Sequence, residues 1–377
     1  MRWLNLLQLK SKNARTREQI IERLALSASA ENISVLTEGL RDSDLAVRRA
    51  AIKGLAQIKD ERVIEPLQLA LDDPDDQNKD EAIYALRQMN DRRCIVPLLP
   101  LLQSPNFHLR KSAAIALRSL GWNPATSKER VLNHIAQGIF KDLVNENEAV
   151  EPLLSALKNG PANIRISACE TCERIQNQNP KQDPRMLQGL IAALADTDAN
   201  VRVAAVHALG KCAGQEKNLP LLAAFKDSAT AVRAAAAEMI GKSGNVEFLR
   251  HYLPLLKDDS FEVRVAAVIA LGRTNSPEIF DPIVGLLKDA DTDVRRSVVE
   301  SLSKLRDPRS IGPLISAMID KESIVRHAAA NGLQVISGDW RTSEAAQKSI
   351  PQLEAALNDV EYWVREAATK ALNRIRN

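Results

Sequence analysis

The chain has 377 residues, with 51 basic and 48 acidic side chains and a formal charge of +3. That balance excludes an acidic tail protein and a strongly basic nucleic-acid coat, while 45% apolar residues suit an ordinary globular chain. Aromatic residues reach only 3%, so the core must be aliphatic.

At the N-terminus, Trp3, Leu4, Leu6, Leu7 and Leu9 precede Lys10, Lys12, Arg15 and Arg17. The segment lacks the basic start, apolar run and cleavage site of a signal peptide. No run of ~18 apolar residues follows to span a bilayer, so the expected location is cytoplasmic. The leucines are expected to cover the open end of the first structural unit; docking on an anionic membrane or a partner is the alternative. Residues 16–28 carry Ile20, Ile21, Leu24 and Leu26, with Thr16 and Gln19 spaced as a capping box. They predict an N-terminal capping helix.

From about residue 31 the chain repeats. A basic residue recurs at Arg48, Lys79, Arg110, Arg165, Arg202, Arg233, Arg264, Arg295, Arg326 and Arg365, and six of the nine gaps are 31 residues. The three longer gaps place insertions around 121–144, 176–184 and 338–346. The residue before the anchor is Val or Ile in eight copies, from Val47 to Val364. Ala follows three residues after it in nine copies, and Leu seven after it in eight. These offsets fall on one face of a 3.6-residue helix, helix B.

Upstream of each helix B a second apolar stretch, such as Val63 to Leu71, predicts helix A. Pro66, Pro97, Pro152, Pro220, Pro282 and Pro313 recur near its start, where a missing N–H costs little; a kink is the alternative if the helix begins earlier. Six residues before the anchor, Asp occupies eight of ten copies: Asp42, Asp73, Asp196, Asp227, Asp258, Asp289, Asp320 and Asp359. An Asp there accepts from free N–H groups at a helix start and can reach the Arg of an adjacent repeat. The spacing predicts an Asp–Arg ladder, which makes these arginines structural and not phosphate ligands.

Paired helices with a Pro in the first, an Asp in the turn and a Val-Arg opening the second resemble HEAT repeats. The 31-residue period is similar to the short variety of phycobilisome-lyase-type HEAT-like proteins. The resemblance covers residues 31–377 and implies an all-α fold, an α-solenoid of about ten two-helix repeats. The expected organisation is a tail and capping helix over 1–30, repeats 1–3 over 31–121 and a helical insertion over 122–144. Repeats 4–9 follow over 145–337, then a second insertion and the C-terminal repeat over 338–377.

The first insertion opens with Gly121-Trp122-Asn123-Pro124 and continues through Val131, Ile135, Ile139, Phe140 and Leu143. It resembles an extra helix that interrupts some members of this HEAT-like group. Trp122, and Trp340 in the last insertion, are expected to fill gaps where the stack changes curvature; a recognition role is the alternative.

No P-loop, GxGxxG, HExxH or nucleophile elbow is present. HEAT-type di-iron hydroxylases depend on His-Glu dipeptides, and none occurs among the five histidines. Near-neutral charge and 13 aromatics disfavour a HEAT-like DNA glycosylase. Cys169 and Cys172 form a CxxC, but they stand at the offsets of Val206 and Leu209 in the next repeat. They are expected in the core, as are Cys94 and Cys212, so no metal, cofactor or catalytic residue is expected.

Opposite the core lie offsets one, five and nine from the anchor. The ninth is basic in five consecutive copies, Arg174, Lys211, Lys242, Arg273 and Lys304. Glu170, Glu238 and Glu300 precede three of these by four residues, the spacing of a helical ion pair. Lys211 and Arg273 have His207 and Ile269 there instead, and the same helices carry Val203 and Val265 at offset one, with Ala234 at that offset on the helix between them. Apolar groups on a face expected to be wet, rimmed by cations, mark an interaction patch. Val203, His207, Lys211, Val265, Ile269 and Arg273 are the expected partner contacts; superhelical curvature burying them against neighbouring helices is the alternative. The expected function is a non-enzymatic scaffold that binds a protein across its helix B surface. A bilin lyase or lyase-like subunit acting on phycobiliproteins is the alternative, and nucleic-acid binding a third.

Overall fold

Apolar residues on a 3.6-residue period have no β alternation to satisfy, and the chain is accordingly helical. A computed structural model describes residues 9–146, 148–178, 183–212 and 218–376; it contains no strand among the described residues. The leucines at 4, 6 and 7 and Trp3 lie outside the described residues.

The chain divides into two units, Met1–Gln178 and Asn179–Asn377. In the first, the helices in chain order are α1 (Ala14–Leu26), α2 (Ile33–Gly39), α3 (Leu45–Gln57), α4 (Ile64–Leu69), α5 (Asp76–Gln88), α6 (Ile95–Leu98) and α7 (Phe107–Ser119). They are followed by α8 (Ser127–Gln137), α9 (Val150–Asn159) and α10 (Ala162–Gln178). The second unit holds α11 (Pro184–Ala193), α12 (Ala199–Lys211), α13 (Asn218–Ala223), α14 (Thr230–Gly241), α15 (Leu249–Tyr252) and α16 (Phe261–Thr274). It continues with α17 (Phe280–Val284), α18 (Thr292–Leu305), α19 (Ile311–Ala317), α20 (Ser323–Ile336), α21 (Glu344–Ala356) and α22 (Tyr362–Arg376). Within each unit short A helices alternate with long B helices, and successive B helices pack side by side. This is the α-solenoid expected from the repeat.

The recurring prolines explain where the A helices begin. Pro66, Pro97, Pro152, Pro220, Pro282 and Pro313 are each the third residue of their α-helix. An N–H there has no intrahelical acceptor, so proline forfeits nothing. The B helices are capped by side chains two residues after the recurring Asp position: Asp44, Asp75, Asn106, Asp198, Ser260 and Asp291 each accept from an N–H of the first turn.

The anchor offsets point inward as expected. Val47, Ala51 and Leu55 are fully buried, as are Val201, Ala205 and Leu209 in the second unit. Cys94, Cys169, Cys172 and Cys212 are buried too. Removing a large aliphatic group from such a position costs about 2–5 kcal/mol.

A second row, not anticipated from the sequence, sets how closely B helices approach. Offset eight is Gly210, Gly241 and Gly272, and a Cβ there would sit 2.6 Å from Met239 Cβ, 2.4 Å from Ala270 Cβ and 2.4 Å from Ser301 Oγ respectively. Each target lies at offset six of the following repeat. Glycine is required here by contact and not by backbone conformation.

The Asp–Arg ladder is present. Arg17, Arg48, Arg202, Arg233, Arg264 and Arg295 each direct Nε and Nη2 at both carboxylate oxygens of Asp42, Asp73, Asp227, Asp258, Asp289 and Asp320 respectively, at 2.6–3.1 Å. From Arg48 to Arg295 along these rungs, Nη1 donates to carbonyls of the arginine's own turn, for example Arg233 to Asp227 O at 2.9 Å. The Asp also accepts from the N–H two residues on, at 2.8–3.0 Å. Every rung thus stitches two turns together through a bidentate, charge-assisted pair.

Arg17 belongs to this ladder, and that revises the N-terminal reading. Helix α1 begins at Ala14 with Asn13 as its cap, so Thr16 and Gln19 do not form a capping box. It packs as a B helix against α3, because Arg17 stands 31 residues before Arg48.

The ladder is interrupted before the first insertion. Lys79 turns to Asp76 at 3.2 Å. Arg110 is buried, and burial pushes its pKa below the usual value. It donates to Ser104 O and, at 2.9 Å, to Ser155 Oγ. Helix α7 then ends in a left-handed Gly121, φ +74°, with the Trp122 N–H returning to Leu117 O at 3.0 Å. Trp122 packs half-buried against the core of the first unit. Val131, Ile135, Phe140 and Leu143 of the insertion are buried, and so is Trp340 of the later one.

Candidate partner-binding surface

Helices α12, α14 and α16 are consecutive B helices of the second unit, held in register by the rungs Arg202–Asp227 and Arg233–Asp258. Residues at equal offsets from the anchor therefore form rows across the three helices. Helix α14 carries Ala231 and Ala234 where its neighbours carry Asn200 and Glu262, and Val203 and Val265; Ala235 beside them matches Ala204 and Ala266. The result is a groove of about 440 Å³. Val203 and His207 of α12 form one wall, and Val265 and Ile269 of α16 form the other. The alanines line the floor together with Glu238, while Glu262 and Arg273 contribute charge.

Five of the six sequence-predicted contacts, Val203, His207, Val265, Ile269 and Arg273, line this one groove; Lys211 does not. Val203, His207 and Val265 are half-buried, and Ile269 is 36% exposed. Curvature has therefore not sealed them from solvent. Sequence reasoning placed Ala234 between the two walls but missed Ala231 and Ala235 beside it and the place of Glu238 and Glu262 in the groove. The signal for the floor was Ala231 and Ala234, which leave that face of α14 without a side chain large enough to fill the space.

Burial pushes the His207 imidazole below its ordinary pKa, Glu238 opposes that, and Lys242 and Lys211 add to it. The ordinary value is about 6.5, so His207 is neutral at pH 7. Glu238 is held by Lys242 at 3.0 Å, the helical pair anticipated from spacing. The other two anticipated pairs do not close. Arg174 reaches the backbone carbonyl of Glu170 at 3.4 Å and Thr171 Oγ1 at 3.2 Å, and no Glu300–Lys304 ion pair forms within 4 Å. Arg273 likewise makes no ion pair among the described residues. The groove is apolar along its walls, with Glu262 toward the start of α16 and Arg273 toward its end.

A family model for HEAT repeats matches residues 3–87, 65–142, 187–253 and 249–334. The chain belongs to the HEAT-repeat family. Among curated proteins none matches the chain. Among solved structures it is similar to an engineered protein at 19% identity, covering 99% of this chain and 98% of that one, with a TM-score of 0.35. It is similar to Escherichia coli YibA at 17% identity, covering 81% and 97%, with a TM-score of 0.43. A chain from a structure of Kap95p binding to RanGDP, described in terms of nuclear import complex assembly, shares 14% identity; the match covers 99% of this chain and 53% of that one, with a TM-score of 0.44.

Within this HEAT-repeat chain, no group of three or more His, Cys, Asp or Glu residues able to hold a metal ion occurs among the described residues. No described helix is long and apolar enough to cross a membrane. The CxxC cysteines are core side chains by burial, and burial pushes the Cys94 thiol up to about 11.

Proposed function

We propose that this HEAT-repeat protein is a non-enzymatic scaffold that captures a protein partner in the groove of α12, α14 and α16. The observation that carries the reading is the meeting of Val203, Val265 and Ile269 over an alanine floor, on a face where a solvated helix would present polar side chains. Neighbouring helices stand about 8–10 Å apart, so the two walls are separated by two such spacings. That leaves room for a helix about 10 Å across, with its apolar stripe turned down onto Ala234 and Ala235. Helix-in-groove recognition of this kind draws its affinity from a few buried aliphatic anchors.

The test places a photo-reactive amino acid at Ile269 and cross-links in native lysate, with and without Val265→Asp. A discrete cross-linked protein that disappears in the Val265→Asp variant, with helicity unchanged, supports the proposal. Cross-linking indifferent to Val265→Asp refutes it. The short repeat also resembles the phycobilisome-lyase type, and the same purified protein can be mixed with free bilin. A shift in the bilin absorption spectrum that Val265→Asp abolishes would make the chromophore, and not a protein, the occupant. Steeply salt-sensitive retention on DNA would favour nucleic acid instead.

A further inference from the structure

The ladder of the second unit stops at Arg326. By position its acid should be Asp359, but that carboxylate accepts from the Glu361 N–H, at 2.9 Å, and forms no ion pair with Arg326. The first helix of this last repeat, α21, runs for 13 residues with Pro351 inside it, against five for α17, and its turn does not deliver Asp359 to the arginine. Arg326 keeps its other anchor, donating Nη1 to Asp320 O at 2.7 Å and Lys321 O at 2.8 Å. Its guanidinium carbon lies 5.4 Å from the centroid of the Trp363 ring. The group is thus fixed at one nitrogen and stacked on one face. The Nε and Nη2 edge, filled by Asp in six other rungs, has no carboxylate within ion-pair distance among the described residues; Glu366 is near enough for Arg326 to add to the lowering of its pKa by Lys370, without pairing with the arginine.

Arg326 lines a cavity of about 180 Å³ beside α20 and α22, together with His327, Trp363, Glu366, Lys370 and Arg374. Glu366 is taken by Lys370 at 2.6 Å. Arg326 and Arg374 make no ion pair among the described residues, so the cavity is cationic. Its volume suits one acidic side chain and the backbone beside it, not a helix.

We propose that this cavity binds the carboxylate of an Asp or Glu in an acidic peptide segment, which completes the missing rung from outside the chain. The chain itself supplies the template, because each intact rung pairs an arginine fork with an aspartate. This site is separate from the α12–α16 groove and does not depend on it.

The test is calorimetric titration of the full chain with acetyl-Glu-Asp-Asp-Glu-amide, its Gln-Asn-Asn-Gln counterpart and inorganic phosphate. Saturable binding of the acidic peptide is expected, weakened about tenfold or more by Arg326→Gln. Arg374→Gln is expected to weaken it too, whereas Arg273→Gln in the groove leaves it unchanged. Should Arg326→Gln disturb folding, Arg374→Gln and Trp363→Leu carry the test. Equal binding of the neutral peptide, or binding unaffected by these substitutions, overturns the proposal. Phosphate binding in preference to the peptide overturns it as well, by making the site a general anion pocket.

Discussion

The Arg233–Asp258 rung allows the ladder's contribution to stability to be measured. The two side chains are 16% and 11% exposed and share two hydrogen bonds of 2.8 and 2.9 Å. A solvent-facing ion pair contributes about 0–1 kcal/mol, whereas stranding one partner of a buried pair costs about 3–5 kcal/mol. With exposure this low, Asp258→Ala should cost roughly 2–4 kcal/mol, since it leaves the guanidinium without its acid and frees the Ser260 N–H. Arg233→Ala also removes the bonds to Asp227 O and Ser228 O, so a double-mutant cycle is needed to isolate the pair. The expected coupling is about 2 kcal/mol. Because repeat arrays do not always unfold in one step, urea denaturation should be accompanied by hydrogen exchange on α14 and α16, where protection should fall most. The exposed pair Lys348–Glu344, 75% and 82% exposed, is the control. A coupling no larger than that of the control would refute the view that the ladder holds the stack together.

Other consequences follow from the same geometry. Asp42, Asp227 and Asp258 lie below the usual carboxylate range, chiefly because Arg17, Arg202 and Arg233 donate to them. The unfolded chain therefore takes up these protons first, and their stabilisation is complete above about pH 4. It is lost as pH falls through the lowered values, so urea midpoints should drop below pH 4; midpoints flat down to pH 2.5 would contradict this. Gly241→Ala drives a methyl to 2.4 Å from Ala270 Cβ and should destabilise by about 1–3 kcal/mol. Gly312→Ala in α19 meets nothing within 4 Å and should stabilise by about 0.5–1 kcal/mol in thermal melts. The four buried cysteines should resist an aromatic disulfide reagent in the native state and react once urea unfolds the chain; rapid native labelling of Cys169 or Cys172 would show that they are not core.

Much of this was legible in the amino-acid order because a repeat states its rules many times. Val, Ala and Leu at fixed offsets from an arginine identify the buried face, and proline at one recurring place marks the start of each A helix. The Asp-to-Arg interval of 25 residues, seen in Asp73 and Arg48 or Asp258 and Arg233, foretold the rungs. Even Arg17 obeyed that interval, although its helix read more readily as a cap. What spacing alone could not decide was anything requiring distance across helices. Offset one and offset five are as compatible with a sealed contact as with an open groove; the alanines of α14 decide the matter by leaving volume that Val203 and Ile269 do not fill. Glu238 closes onto Lys242 while Glu300 does not close onto Lys304, because i,i+4 spacing permits a pair without enforcing it. Arg326 and Asp359 keep the residue types of a rung yet form none, since thirteen residues of helix precede that turn. Periodicity determines which side of each helix is buried; only the packed structure determines how far apart two helices stand and what the gap between them can hold.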